Sequence, residues 1–398
     1  MATNKEKWSD EFLESMRQHT DPLGDATIKS IMENGEEDIV NKIFSQLRMN
    51  VQLERDDVPD DLKEYFEKAS VLPEWADMDL IAKGEQFFAE YGVETSLLLF
   101  YLSLPYAYSC SNGAKVLAAT GRLEEFQGNL DKFTRRLMET AQFVFNVGTA
   151  EGFSPKGVAV ESAMKVRLMH ACIRYFAKAH GGWPSEKYGE PINQEDMTGT
   201  MLSFCVLVYE GMDKMGLEVD PELRAGHFHL WRVIGYLMGV DPRMIPETQE
   251  EGHVLGHRIL NRQQAASQDG VDLTKALLDF SKKSIPGSWF DYLPDVLIRY
   301  YTNDATADML GIPRYGWFKR KFMPWFINWF ISGLNNVEHI TGFTAKLGGK
   351  LQLYLLQHTI TQYYGYRNVA FYLPPGLRKN WPLKNSTDSP TDSTSASS

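Results

Sequence analysis

Cysteine is almost missing from this chain, with only Cys110, Cys172 and Cys205 in 398 residues. They are odd in number and widely spaced, and no CxxC metal or redox pair exists. All three lie in or beside apolar helical stretches, so they read as buried free thiols suited to a reducing compartment. Positive charge is also in deficit. The net charge is −11, which argues against a nucleic-acid partner, since such proteins normally carry a basic patch. Long apolar runs are missing too. Ser96 to Tyr108 is thirteen residues and holds Pro105, whereas a membrane span needs roughly 20. The first residues show no apolar signal region and no twin arginine, so a cytoplasmic protein is expected. No GxGxxG fingerprint, P-loop or GxSxG elbow occurs, which disfavours hydride transfer, phosphoryl transfer and α/β-hydrolase chemistry. Sustained period-2 alternation and solenoid repeats are absent as well.

What remains is helical periodicity along nearly the whole chain. Amphipathic patterns cover 37–49, 60–70 and 77–91, and Leu123 to Val147 reads as one long helix ending at Gly148. Ser154-Pro155 has the form of an N-cap followed by a first helical proline, and the helix it opens runs to Gly181-Gly182. Further patterns cover 194–215, with Gly216 as a C-cap, then 221–238, 246–267, 273–283, 289–301, 317–333 and 337–363. Trp317 to Ile331 is apolar but holds Lys319, Arg320 and Lys321. It reads as core, with a peripheral membrane contact as the alternative. The Ser-, Thr-, Asp- and Pro-rich tail from residue 384 has almost no apolar surface to offset its ordering entropy and is expected to be disordered.

The most informative stretch is Lys165 to Phe176. On a helix, Arg167, His170 and Arg174 project to one side, with Leu168, Met169, Ile173 and Phe176 as apolar neighbours. Two guanidiniums beside one imidazole on a greasy helix are costly to bury without anions. A haem meets both needs, with an iron for the imidazole and propionates for the arginines. A boundary histidine flanked by surface arginines accounts for the same pattern. On the preceding helix Arg136 and Thr140 share an apolar face with Phe133, Leu137, Phe143 and Val147. They suit polarisation of dioxygen, and an Arg136–Glu139 surface ion pair is the alternative. A third constellation is Glu250, His253 and His257, where two histidines four apart have ligand spacing. Only one ExxH motif is present, whereas a di-iron bundle needs two.

Taken together, Arg136-Leu137-Met138-Glu139-Thr140 and Val166-Arg167-Leu168-Met169-His170-Ala171-Cys172-Ile173-Arg174 resemble the latex clearing proteins, which are rubber oxygenases, and their MpaB-type relatives. The stretches 113–123 and 231–241, with Ile245-Pro246-Glu247-Thr248, strengthen the resemblance, which covers about residues 75 to 340. It implies an all-α fold: a single large helical domain with a globin-like haem-binding core and extra N- and C-terminal helices. The expected boundaries are an N-terminal helical cap over 1–74, an oxygenase core over 75–345, a helical extension over 346–383 and a tail over 384–398. It implies haem b with His170 as the proximal iron ligand, Arg136 and Thr140 on the distal side, and Arg167 and Arg174 steadying the haem. The implied reaction is dioxygen-dependent cleavage of an isoprenoid double bond to two carbonyls. Glu139 stands where the rubber-cleaving proteins carry a distal lysine, and their proposed glutamate base falls on Thr120, with Glu124 and Glu125 nearby. A smaller apolar alkene, such as a terpenoid or polyprenyl chain, is the expected substrate. The other readings are a haem protein of the same fold without turnover, as sensor or carrier, and a non-haem metal enzyme at Glu250, His253 and His257.

Overall fold

The computed structural model describes residues 7–34, 60–119, 130–179, 182–284 and 291–316. The fold is all-α. Among the described residues the only strand-like pairing is an isolated bridge between Cys110 and Gln264. In chain order the helices are α1 (Asp10–Met16), α2 (Pro22–Glu33), α3 (Asp60–Ala69) and α4 (Met78–Leu98). A π-helical segment, Leu99–Ser103, joins α4 to α5 (Leu104–Ser109), and α6 (Ser111–Leu117) follows. Next come α7 (Leu130–Gly148) and α8 (Ala159–Ala179). After a turn at Ser185–Tyr188 come α9 (Gln194–Ser203), α10 (Val206–Met215) and α11 (Pro221–Leu237). Finally there are α12 (Gln249–Gln263), α13 (Gln268–Ser284), α14 (Leu293–Tyr301) and α15 (Asp304–Met309).

Short polar side chains set many of the helix starts. Asp21 accepts from the Gly24 amide, Asp77 from those of Asp79 and Leu80, Asn193 from Asp196 and Thr248 from Glu251. Gly216 ends α10 at φ 75°, a left-handed position where a β-carbon is strained.

The centre of the core is the contact between α4 and α11. Gly84 and Gly226 meet there. A β-carbon on Gly226 would lie 2.8 Å from the Gly84 nitrogen and 2.8 Å from the Leu80 carbonyl oxygen. Only glycine permits that approach. Around it Phe87, Leu98, Leu230, Val233, Ile234 and Leu237 are buried in one cluster, each worth about 1.5–3 kcal/mol of transfer free energy. His227 of α11 lies within this core. It stacks on Phe87 at 4.0 Å between ring centroids, and its Nε2 accepts the Trp231 indole proton at 3.0 Å. That fixes the other proton on Nδ1, which faces the Tyr209 hydroxyl at 2.9 Å. His229, two residues on, faces elsewhere and accepts from the Asp77 amide at 2.9 Å, tying α11 to the start of α4.

The N-terminal segment packs into this same core. Trp8, Leu13 and Met16 belong to the central cluster, and the Trp8 indole donates to the Arg243 carbonyl at 2.9 Å. Arg17 is nearly fully buried between Glu195, at 3.1 Å, and Asp196, at 2.9 Å.

Several expected helix boundaries are corrected: the helix expected to end at residue 91 runs on to Leu98, the one expected to reach 267 stops at Gln263, and the one expected from 273 begins at Gln268. Ser154-Pro155 does not open a helix. It lies in a turn, and α8 begins at Ala159. The Ala159 amide bonds back to Gly152, and a β-carbon on Gly157 would overlap the Gly152 carbonyl. The 194–215 pattern splits into α9 and α10 at Phe204-Cys205, where Cys205 leaves helical geometry at φ −121° and ψ −62°. The pattern from Pro246 begins instead at Gln249, because Thr248 is the cap. The expected helices at 37–49, 317–333 and 337–363 lie outside the described residues. So do the possible membrane contact at 317–331, the extension over 346–383 and the tail. Among the described residues no helix is long and apolar enough to cross a membrane.

Candidate active site on a helical hairpin

The residues singled out by sequence sit on the hairpin of α7 and α8. Its connecting loop is held by α4. The buried Glu85 carboxylate accepts from the Glu151 amide at 3.0 Å and the Phe153 amide at 3.2 Å. Burial raises the Glu85 pKa, although the backbone donors oppose that rise. Across the hairpin, the Asn146 side chain donates to Ser162 at 2.9 Å. In an antiparallel pair each step along α8 matches one step back along α7. Ideal antiparallel register counted from that contact would set His170 opposite Met138, between Arg136 and Thr140 in axial position.

Arg136 is half-buried on α7, whose Phe133 and Met138 belong to an apolar cluster with Tyr108, Leu277 and Phe280, with Leu137 packed against it. Its charge reaches the Tyr108 phenol, but burial dominates and raises the Tyr108 pKa, keeping that group neutral. The Arg136 Nη1 is buried with no hydrogen-bond partner among the described residues. Such an orphaned donor costs about 1–3 kcal/mol or more, so it calls for an explanation. Thr140 donates its hydroxyl proton to the Arg136 carbonyl at 3.1 Å. In this state its oxygen is left as an acceptor. Glu139 is buried beside it. Thr120, Glu124 and Glu125 lie outside the described residues.

His170 is half-buried on α8. Arg167 and Arg174 already have anions, and both come from the α2 region. Arg167 clasps Asp21 through two contacts of 2.7 Å and 2.6 Å. Burial opposes the Arg167 charge, yet the Asp21 hydrogen bond and charge outweigh it, and its pKa is raised. Arg174 donates to Asp25 at 2.6 Å and to the Ile192 carbonyl at 3.4 Å, while its Nη2 is buried with no partner among the described residues. The demand for counter-ions read from the sequence is therefore met largely within the protein. The aspartates were missed because they lie about 145–150 positions away. The only local signal is Asp21-Pro22, which reads as a helix cap.

The second constellation changes one member. His253 and His257 lie 4.4 Å apart between ring centroids on α12, tilted at 44° to one another, but the carboxylate that joins them is Glu210 of α10. Glu250 is outside the group, which corrects the Glu250, His253 and His257 set. Glu210 Oε1 lies 2.6 Å from His257 Nε2 and 3.2 Å from His253 Nε2. The hydrogen bond to Glu210 raises the His257 pKa against the effect of burial.

With this geometry in place, residues 92–329 match the family model described as the catalytic domain of the ER-bound oxygenase mpaB/B' and rubber oxygenase. The chain belongs to this family. The match takes in α7, α8, α10 and α12, so both constellations fall inside the oxygenase domain. The chain is similar to the rubber oxygenase of Streptomyces sp. (strain K30), at 24% identity over 296 residues, which is 74% of this chain and 71% of the relative. Its fold is similar to that of latex clearing protein in the closed state, with a TM-score of 0.67 and 23% identity. That likeness covers 80% of this chain and 85% of the other.

Proposed function

We propose that the protein is a b-type haem oxygenase that uses dioxygen to cleave a carbon–carbon double bond of an apolar, isoprenoid-like substrate. Family membership supports the reaction class. The observation that carries the site is Arg136, a guanidinium whose Nη1 is buried with no partner among the described residues, on the helix that pairs with the one carrying His170. Bound haem would supply the iron and the oxygen chemistry. His170 would hold that iron through a neutral imidazole. The Arg136 Nη1 would be available to donate a hydrogen bond to bound oxygen, and the Thr140 hydroxyl oxygen to accept one. The apolar residues around Tyr108 would keep water from the reacting groups. In this reading Arg167 is a positioning residue: by clasping Asp21 it fixes α8, and with it the direction of His170. Arg174 would add its remaining N–H to a propionate.

Glu139 favours a second reading. It puts a buried carboxylate beside Thr140 where the resembling proteins carry lysine, so a haem protein without turnover has to be separated from an oxygenase. Oxygen uptake by the haem-loaded protein with squalene as probe alkene makes that separation. The proposal expects uptake with matching carbonyl products, both lost in an Arg136→Ala, Thr140→Ala double variant. Haem-loaded protein that consumes no oxygen across squalene and polyprenyl alkenes would leave the sensor or carrier reading.

A further inference from the structure

The Glu210, His253 and His257 group lies apart from the α7–α8 hairpin, and the proposed oxygenase reaction does not use it. We propose that these three residues form a binding site for one borderline divalent transition-metal ion, zinc above all, clamping α12 to α10. Their ligand atoms all lie within 4.8 Å of one another. His257 Nε2 is hydrogen-bonded to Glu210 Oε1, and His253 Nε2 lies 3.2 Å from the same oxygen. Two ring nitrogens gathered at one carboxylate oxygen form a ready ligand set, and one cation between the three atoms would engage all of them.

The adjustment needed is small. Tetrahedral zinc with bonds of about 2.0 Å sets its ligand atoms about 3.3 Å apart. The Glu210–His253 separation is already 3.2 Å, and the Glu210–His257 separation of 2.6 Å has to open. The side chains can move, being 33%, 58% and 36% exposed for Glu210, His253 and His257. α12 is itself held in place by close packing on α11 and α9. Gly252 lies so near Phe228 that a β-carbon would meet the ring at 2.9 Å, and Gly256 lies against Leu202. These glycines bury one side of α12 and leave the adjacent His253 and His257 at its flank beside α10.

The donor set selects the metal class. Two imidazoles and one carboxylate suit zinc, cobalt or nickel, whereas calcium and magnesium need more oxygen ligands than one glutamate supplies. The ligand set also limits the chemistry. Hydrolytic zinc sites built on two histidines four apart carry a glutamate directly after the first, as general base. Here that position is Val254, so the site binds metal without the base for hydrolysis.

The test is calorimetric titration of the full-length, haem-loaded protein with zinc after removal of adventitious metal by chelation. One zinc per chain is expected. Glu210→Gln, His253→Ala and His257→Ala should each weaken binding by at least ~10-fold, whereas Glu250→Gln should not change it. A zinc-dependent rise in Tm should appear in the starting protein and be lost in the three ligand variants, each of which serves as a check on the others' folding. Absence of saturable one-to-one binding would overturn the proposal. So would ligand variants that bind as tightly as the starting protein, or an equal loss in Glu250→Gln.

Discussion

Acid should destabilise this protein through one buried imidazole, His227. Burial lowers its pKa from 6.5 to about 3 in the folded state. Its Nε2 is committed as an acceptor to Trp231, so protonation would break that bond and place a charge in the core. In the unfolded chain the same imidazole takes up a proton below pH 6.5. The unfolded state therefore binds more protons between pH 6.5 and about 3, and stability falls as pH falls through that window. Above pH 6.5 the full contribution is retained. Each pH unit well inside the window is worth about 1.36 kcal/mol, so roughly 2 kcal/mol is lost between pH 6.5 and 4.5, and roughly 4 kcal/mol over the whole window. The assay is urea unfolding at pH 7.5, 6.5, 5.5 and 4.5 for the starting protein and for His227→Gln, which keeps an acceptor for the indole but does not titrate. The difference in unfolding free energy between them isolates this group from the carboxylates they share. It should shift by roughly 2 kcal/mol between pH 6.5 and 4.5. Parallel pH profiles for the two proteins would refute the reasoning.

Other expectations follow from particular contacts. Gly226→Ala forces a β-carbon against the α4 backbone, so overpacking of ~1–3 kcal/mol should exceed the ~0.5–1 kcal/mol gained in helix propensity, read as a lowered denaturation midpoint. Arg167→Ala and Asp21→Ala should each cost about 3–5 kcal/mol by stranding a buried charge. The double variant should cost clearly less than their sum, and additive losses in a double-mutant cycle would show that the pair does not couple. His257 titrates in the opposite sense to His227. Its folded pKa is raised, so its stabilisation is present below pH 6.5 and fades as pH rises through the folded value. A His257→Ala variant should lose that component of the profile.

Much of the fold was legible in the sequence because helical periodicity, caps and glycine stops are local signals. Pro221 to Leu237 and its stop before Gly239 were read almost to the residue, as was Asp60 to Ala69. Errors arose where a local signal competed with tertiary geometry. Ser154-Pro155 has the form of a helix start, yet the tight contact of Gly157 with Gly152 demands a turn. The apolar run through Cys205 hides a break between two helices. The hairpin that carries Arg136, Thr140 and His170 could be read because its residues are close in sequence. Asp21, Asp25 and Glu210 could not, since each meets its partners through packing of distant helices. The sequence pattern signals a need for anions near Arg167 and Arg174 and points to haem propionates, whereas Asp21 and Asp25 supply them within the protein.

The most direct test of the proposed haem site is the ultraviolet–visible spectrum of protein expressed with haem precursor, recorded before and after dithionite and carbon monoxide. The account predicts a Soret band that shifts on reduction and again with carbon monoxide, and a His170→Ala variant that loses the bound haem. Colourless protein that refuses added hemin, or a His170→Ala variant that keeps a full complement of haem with the same spectrum, would contradict it.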